Sequence, residues 1–326
     1  ASSQNKEYLY AKKLGVRVSP FAEILKDYFI KPNSIVVTGT AGKTTVTALI
    51  TLILKNLDIN PSYMVGAEVI DMPDSIQNTT SSWSVTEGDE FFSRELSTGA
   101  KFLKFNPKYL VITSLGWEHQ DVYPTKELYL DEFKKAVQMV PIDGVVLAPD
   151  NVSEIDYVLS GFTDKKIVRY KYSDTKKTGV WSIFKENDSL NVCDLAGKSY
   201  ITLTASLLGK YNVENICGVV ALIDFLAVDL IKTNSNLTLP KIKEVVAATI
   251  KDFKGPKKRI EILKKTQNTM VIDDFAVAPD RIKNTLQTLA ENFPEYKIVT
   301  VFEPNSGSRP KDVSTLKNLY QNSFFQ

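Results

Sequence analysis

The stretch "SIVVTGTAGKTTV", residues 34–46, decides how this 326-residue chain is read. Ile35, Val36 and Val37 form the short apolar run of a buried strand. The run passes directly into Thr-Gly-Thr-Ala-Gly-Lys-Thr-Thr and then into "KTTVTALITLILKN" (43–56), a strongly apolar helical pattern. A glycine-containing turn that opens a helix aims backbone N–H groups at one place, where the helix dipole also favours negative charge. Lys43 is placed to neutralise terminal phosphates, and the Thr44 hydroxyl to ligate a magnesium ion. Gly39, Thr40, Ala41, Gly42 and Thr45 complete the candidate cradle. Strict Walker spacing asks for a glycine at position 37, where Val37 stands. The competing reading is a plain turn, and the strand before and helix after favour the phosphate loop.

Outward from this loop, "SIVVT" (34–38), "WSVTE" (83–87), "YLVIT" (109–113) and "GVVLA" (144–148) read as buried strands, with a helix over 126–140. Alternating strands and helices predict an α/β fold around a mainly parallel sheet covered on both faces. From 166 to 204, four runs beginning at "KIVRYKY" suggest small antiparallel strands joined by turns. Helices return at about 211–228 and 240–252. The Lys-rich link "KDFKGPKKR" (251–259), with Gly255 and Pro256, marks a domain boundary and a candidate hinge. Beyond it come "TMVIDDFA", a helix near 279–292, "YKIVTVFEP" and a last helix near 311–321. Two βα units are fewer than a doubly wound domain needs, so this final domain is expected to be incomplete.

Composition excludes several classes. Hydrophobic residues make up 43%, charged residues 24%, and the formal net charge is +2, which gives no basic face for nucleic acid. No apolar run reaches the roughly 18–20 residues of a membrane span. Two cysteines, Cys193 and Cys217, lack metal-ligand spacing and suit a reducing cytoplasm. A cytoplasmic monomer is expected.

Two acidic segments lie at strand ends, where ligands collect in open α/β sheets. "VTEGDE" carries Glu87, Asp89 and Glu90, and "VITSLGWEHQDVY" carries Glu118, Asp121 and His119, the chain's one histidine. Each alone reads as a solvated turn. Together, beside a phosphate loop, they suit Mg²⁺ held by few protein ligands.

These segments resemble the Mur ligase family of ATP-dependent amide-forming enzymes. "VTGTAGKTTVT" is similar to its phosphate loop, "EGDEFF" to its acidic motif, and "SLGWEHQDVYPT" to its Asp-His-x-Asp segment, with Glu118 for the Asp. "LLGKYNVENICGVVAL", "FKGPKKRIE" and "VIDDFAVAPDRI" resemble the adenine-contacting motif and the start of the third domain. "TVFEPNSGSR" and the stretch after "EGDEFF" look most like the family's muramate branches, the murein peptide ligases and the L-alanine ligases.

The resemblance implies ATP and Mg²⁺ as cofactors, and UDP-N-acetylmuramate plus an amino acid or peptide as substrates. It implies a remnant of a UDP-binding domain over 1–32, a central ATPase domain with a small antiparallel sheet over 33–254, and a partial Rossmann-like domain over 255–326. It further implies that Lys43 binds the β/γ-phosphates, that Thr44 and Glu87 hold one Mg²⁺, and that His119 holds a second. Asn212 and Asn215 would contact adenine, Arg259 the phosphates, and Asp273 or Asp274 the ribose. Three departures stand out: Tyr211 replaces a histidine, "AVAP" (276–279) replaces Ala-His-His-Pro, and Lys134, at the offset of a carbamylated lysine, reads as a surface helix residue. A degenerate nucleotide-binding module and a folylpolyglutamate synthetase-like ligase remain as alternatives.

Overall fold

The structure is a computed structural model and describes residues 4–91, 99–119, 122–150, 153–277 and 279–303. Asp121, the helix expected at 311–321 and the "NSGSR" segment lie outside the described residues. In chain order the elements are α1 (Lys6–Lys13), α2 (Phe21–Tyr28), β1 (Asn33–Thr38), α3 (Lys43–Asn56), β2 (Ser62–Met64), β3 (Ile76–Gln77) and β4 (Trp83–Gly88). There follow β5 (Tyr109–Ile112), α4 (Lys126–Met139), β6 (Val145–Pro149), α5 (Ser153–Leu159), β7 (Ile167–Tyr172), β8 (Trp181–Glu186), β9 (Ser189–Cys193) and β10 (Ser199–Leu203). The last elements are α6 (Lys210–Thr233), α7 (Leu239–Asp252), β11 (Glu261–Lys265), β12 (Met270–Asp273) and α8 (Pro279–Asn292).

One sheet of ten strands runs in the order β10-β9-β8-β7-β6-β5-β1-β4-β2-β3. Alternation along its strands feeds two cores. Ile35, Val37, Val85 and Val111 point to the face covered by α3, α6 and α7, while Val36, Leu110, Ile112 and Val146 point to the face covered by α2, α4 and α5. Strand β1 lies between β5 and β4, both parallel to it. The chain leaves β1 toward β4 and later returns on its other side with β5. That reversal opens a crevice at the carboxyl ends of β4, β1 and β5. The three motifs read from the sequence sit on those three strand ends.

The α/β class is as expected, and two details differ. Strand β7, "KIVRYKY", pairs in parallel with both β6 and β8, so of the four runs from 166 to 204 only β8, β9 and β10 pair antiparallel with one another, and they extend the main sheet. Apolar alternation encodes which face is buried, not the direction of pairing, and the α5 crossover supplies the parallel connection. The described part of "YKIVTVFEP" forms no strand: Val299 is 80% and Val301 98% exposed, with no ladder beside them. Strand β12 pairs instead with β11, antiparallel, in a sheet of two.

The link after α7 is pinned. Ile70 N–H donates to the Gly255 carbonyl, Lys257 N–H to that of Glu68, and Lys254 N–H to the Asp71 carboxylate at 2.7 Å. Bending at Gly255 would break these bonds, so the freer pivot lies beyond Lys257. Among the described residues no helix is long and apolar enough to cross a membrane.

Candidate active site

The phosphate loop is held by its neighbour strand. Thr113 Oγ1 and Ser114 Oγ donate to the Ala41 carbonyl at 2.6 and 3.1 Å, and Ala41 N–H donates to Ser114 Oγ at 2.8 Å. Thr40 Oγ1 bonds the Gly116 carbonyl at 2.7 Å and lies 2.9 Å from the Tyr129 hydroxyl. Thr40 and Ala41 therefore brace the loop, which leaves the first turn of α3, with Lys43, Thr44 and Thr45, to present unpaired donors. Both glycines are required. Gly39 and Gly42 have φ of +128° and +88°, and a Cβ on Gly42 would meet the Asn215 amide at 2.5 Å. That close approach brings Asn215 of α6 against the loop.

Lys43 Nζ donates to the Gly39 carbonyl and to Glu90 Oε2, the latter at 2.8 Å. Glu90 is 1% exposed. Burial alone would raise its pKa, but the Lys43 ammonium and the His119 side chain outweigh burial and hold it down at about 2. Glu90 Oε1 faces His119 Nε2 at 3.6 Å, and this carboxylate raises the imidazole's pKa against its burial. Thr44 Oγ1 donates to Glu87 Oε1 at 3.2 Å, and Gly66 N–H to Glu87 Oε2 at 2.7 Å. Glu87 has no ion pair within salt-bridge distance among the described residues. Burial raises its pKa, and Lys43 opposes that only in part. A half-buried carboxylate beside a threonine hydroxyl at a helix N-terminus is a donor set short of positive charge, which fits a hard divalent cation.

The carboxyl-terminal elements close the site from above. Lys258 and Ile260 have φ of +57° and +51°, so Arg259 sits between two left-handed residues, one of them β-branched. Bonds hold this shape: Ile260 N–H donates to Asp274 Oδ2 at 2.7 Å and Lys258 N–H to Glu261 at 2.8 Å. Strain of that kind persists where the surroundings over-determine it, often at ligand clamps. Burial, then the nearby Arg281, lowers the pKa of Arg259. The Asp274 carboxylate also accepts from Ala276 N–H and Thr285, while Asp273 belongs to the β12 ladder. Asn212 donates to the Leu208 carbonyl at 2.7 Å, and its Oδ1 is buried without a hydrogen-bond partner among the described residues. The neighbouring Tyr211 lines a cleft of about 330 Å³ together with Lys210, Glu214 and α8 residues including Gln287.

Lys43, Thr44, Glu87 and His119 thus converge with Arg259, and Asn212 and Asn215 flank them. Lys134 bonds Ser160 and lies over the Tyr157 ring, as a helix-surface residue would. Sequence reasoning missed Arg281 and Gly66. From α8, Arg281 Nη2 reaches the Thr40 carbonyl and pairs with Glu118 Oε2 at 3.0 Å, which joins the carboxyl-terminal elements to the phosphate loop. The available signal was the pairing of an unusual Glu118 with a basic residue after "AVAP".

The Mur ligase middle domain family matches residues 37–223, more than half of the chain. The UDP-N-acetylmuramate–L-alanine ligase of Caldanaerobacter subterraneus subsp. tengcongensis is 31% identical over 314 residues, covering 94% of this chain and 63% of the relative. The chain spans a similar 66% of the L-alanine ligase of Desulforapulum autotrophicum, at 28% identity. Among solved structures, the UDP-N-acetylmuramate–alanine ligase of Thermotoga maritima superposes with a TM-score of 0.69 at 26% identity, covering 94% of this chain and 66% of that one. The murein peptide ligase of Psychrobacter arcticus shares the fold, with a TM-score of 0.69 at 20% identity over 96% of this chain and 67% of its own. On the strength of the family match and this site, the chain belongs to the Mur ligase family.

Proposed function

We propose that the protein containing this chain is an ATP-dependent ligase that joins an amino acid or peptide to the carboxylate of UDP-N-acetylmuramate, in building or recycling peptidoglycan. Residues 33–254 would form the nucleotide-handling unit, and 255–326 the start of a third domain. The observation that carries this reading is the Thr44 hydroxyl, next in the helix to Lys43, set against the half-buried Glu87 carboxylate.

A carboxylate and an amine do not condense in water, so the carboxylate must first be activated. Bound Mg·ATP supplies the γ-phosphoryl group that converts it to an acyl phosphate, from which the amine displaces phosphate. The chain's own part is positioning and charge. Lys43 and Arg259 offset repulsion between two anionic reactants and stabilise charge developing on the transferring group. Thr44 and Glu87 would hold one Mg²⁺ and His119 a second. Asn212 and Tyr211 would seat the base. Holding the partners aligned removes about 7–11 kcal/mol from such a barrier.

The test is phosphate release by the full-length protein with Mg·ATP and UDP-N-acetylmuramate, with L-alanine and the tripeptide L-Ala-γ-D-Glu-meso-diaminopimelate supplied in parallel. Amine-dependent turnover that is lost in Lys43→Ala supports the reading, and the preferred amine assigns the branch. Full activity in Lys43→Ala would overturn it.

A further inference from the structure

Among the described residues, Glu90 is the one fully buried carboxylate that touches both cation-handling groups of the site. Oε2 accepts from Lys43 Nζ at 2.8 Å, and Oε1 faces His119 Nε2 at 3.6 Å. Ligand atoms of Asp89, Glu90 and His119 lie within 4.8 Å of one another, but Glu90 is already committed to the Lys43 ammonium through Oε2. We infer that Glu90 is a positioning residue: by presenting an acceptor to Nε2 it fixes His119 in the Nε2–H tautomer, leaving the Nδ1 lone pair as the only one free for a metal ion. This rests on the ligase reading above only where it assigns His119 to a metal.

The surroundings are built to keep this contact. His119 adopts φ of +54°, and its carbonyl accepts from Val122 N–H and Tyr123 N–H, both at 2.8 Å. The Tyr123 hydroxyl donates to the Glu90 backbone carbonyl at 2.6 Å, while Trp117 Nε1 donates to the Tyr123 carbonyl at 3.0 Å. One loop thereby holds the backbone of the histidine and that of the glutamate. The Phe91 ring also packs against the imidazole, 5.2 Å away centroid to centroid, at a tilt of 55°. The imidazole has little freedom to turn over. Metal-binding histidines are ordinarily oriented in this way, by a carboxylate or carbonyl on the second nitrogen. Here the same carboxylate also grips the phosphate-loop lysine, so the positions of the two groups are coupled.

A glutamine at position 90 keeps the size but has one acceptor instead of two. The Lys43 ammonium can only donate, so the amide oxygen must turn to Lys43 and the NH₂ to His119. Nε2 then has to accept, the proton moves to Nδ1, and Nδ1 no longer offers a lone pair to a metal ion.

His119 is the only histidine in this sequence, and under selective ¹⁵N-histidine labelling its two ring-nitrogen signals are identified by their loss in His119→Gln. Spectra of the intact protein, recorded above the imidazole's titration, are expected to show Nε2 protonated in the native protein and Nδ1 protonated in Glu90→Gln. Titration with Mn²⁺ alone, read by broadening of the same signals, is expected to weaken about 10–100-fold in Glu90→Gln. Glu90→Asp, which keeps two acceptor oxygens, is expected to retain the Nε2–H form. A native protein with Nδ1 protonated overturns the inference without any variant. So does a folded Glu90→Gln with unchanged tautomer and Mn²⁺ affinity. These signals do not depend on turnover, so a failed ligase assay would overturn the proposed function and leave the role of Glu90 to the spectra.

Discussion

Replacing Gly66 by alanine is expected to damage catalysis while sparing the fold. Gly66 lies in the loop after β2, and its N–H holds Glu87 Oε2 at 2.7 Å. Its φ is not in the left-handed region, so alanine costs little in backbone conformation. The added Cβ, however, would stand 2.6 Å from Oε2 and 2.8 Å from the carboxyl carbon, against ordinary contacts of 3.4 Å or more. What gives way is the end of a flexible side chain, so the carboxylate moves by about 0.8 Å and leaves Thr44. A misplacement of about 1 Å in a positioned group costs on the order of 10²-fold. A loss of about 30–100-fold in kcat is therefore expected, or about 2–3 kcal/mol of transition-state stabilisation. The Mg²⁺ needed for half-maximal activity should rise as well. The assay is phosphate release against Mg²⁺ concentration, with thermal unfolding of the same samples as the control for folding. Native kcat and native Mg²⁺ dependence in a folded Gly66→Ala would refute the link between Gly66 and Glu87.

Two further outcomes follow from the charges around the loop. Glu90 has a folded-state pKa of about 2, below the ordinary 4.5, so its ionised form stabilises the native state. That contribution, about 3 kcal/mol, is complete above pH about 4.5 and is lost as pH falls toward 2. The stability gap between the native protein and Glu90→Gln, measured by urea unfolding, should close over that window, and a gap independent of pH would contradict it. Arg281 and Glu118 link α8 to the phosphate loop, so Arg281→Met and Glu118→Gln should be non-additive in kcat/KM. A coupling of about 1 kcal/mol or more is expected from a double-mutant cycle, and strict additivity would show that the pair does not act as a unit.

Much of this site was legible because its chemistry is local. Lys43 and Thr44 follow a strand and open a helix within ten residues, and Glu87 and His119 each stand just past a β-branched run. Strand ends at a switch point converge by topology, so placing the strands placed the residues. The unread parts depend on pairings distant in sequence. Gly66 carries no motif, and its importance lies in meeting a carboxylate 21 residues away. Arg281 reaches Thr40 across 241 residues. Glu90 was visible as an acidic residue, but its burial against Lys43 depends on how β4 abuts α3. The parallel pairing of β7 and the lack of a strand over residues 297–303 were hidden for a related reason: alternation marks a strand's faces and says nothing of its neighbour.

The central claim is that the carboxylate is activated by phosphoryl transfer within this site. UDP-N-acetylmuramate labelled with ¹⁸O in its lactyl carboxylate tests it, with the full-length protein, Mg·ATP and the preferred amine. One ¹⁸O atom should appear in the phosphate released at each turnover. Amide formation with unlabelled phosphate would contradict the account, because the carboxylate oxygen would then never have accepted the phosphoryl group.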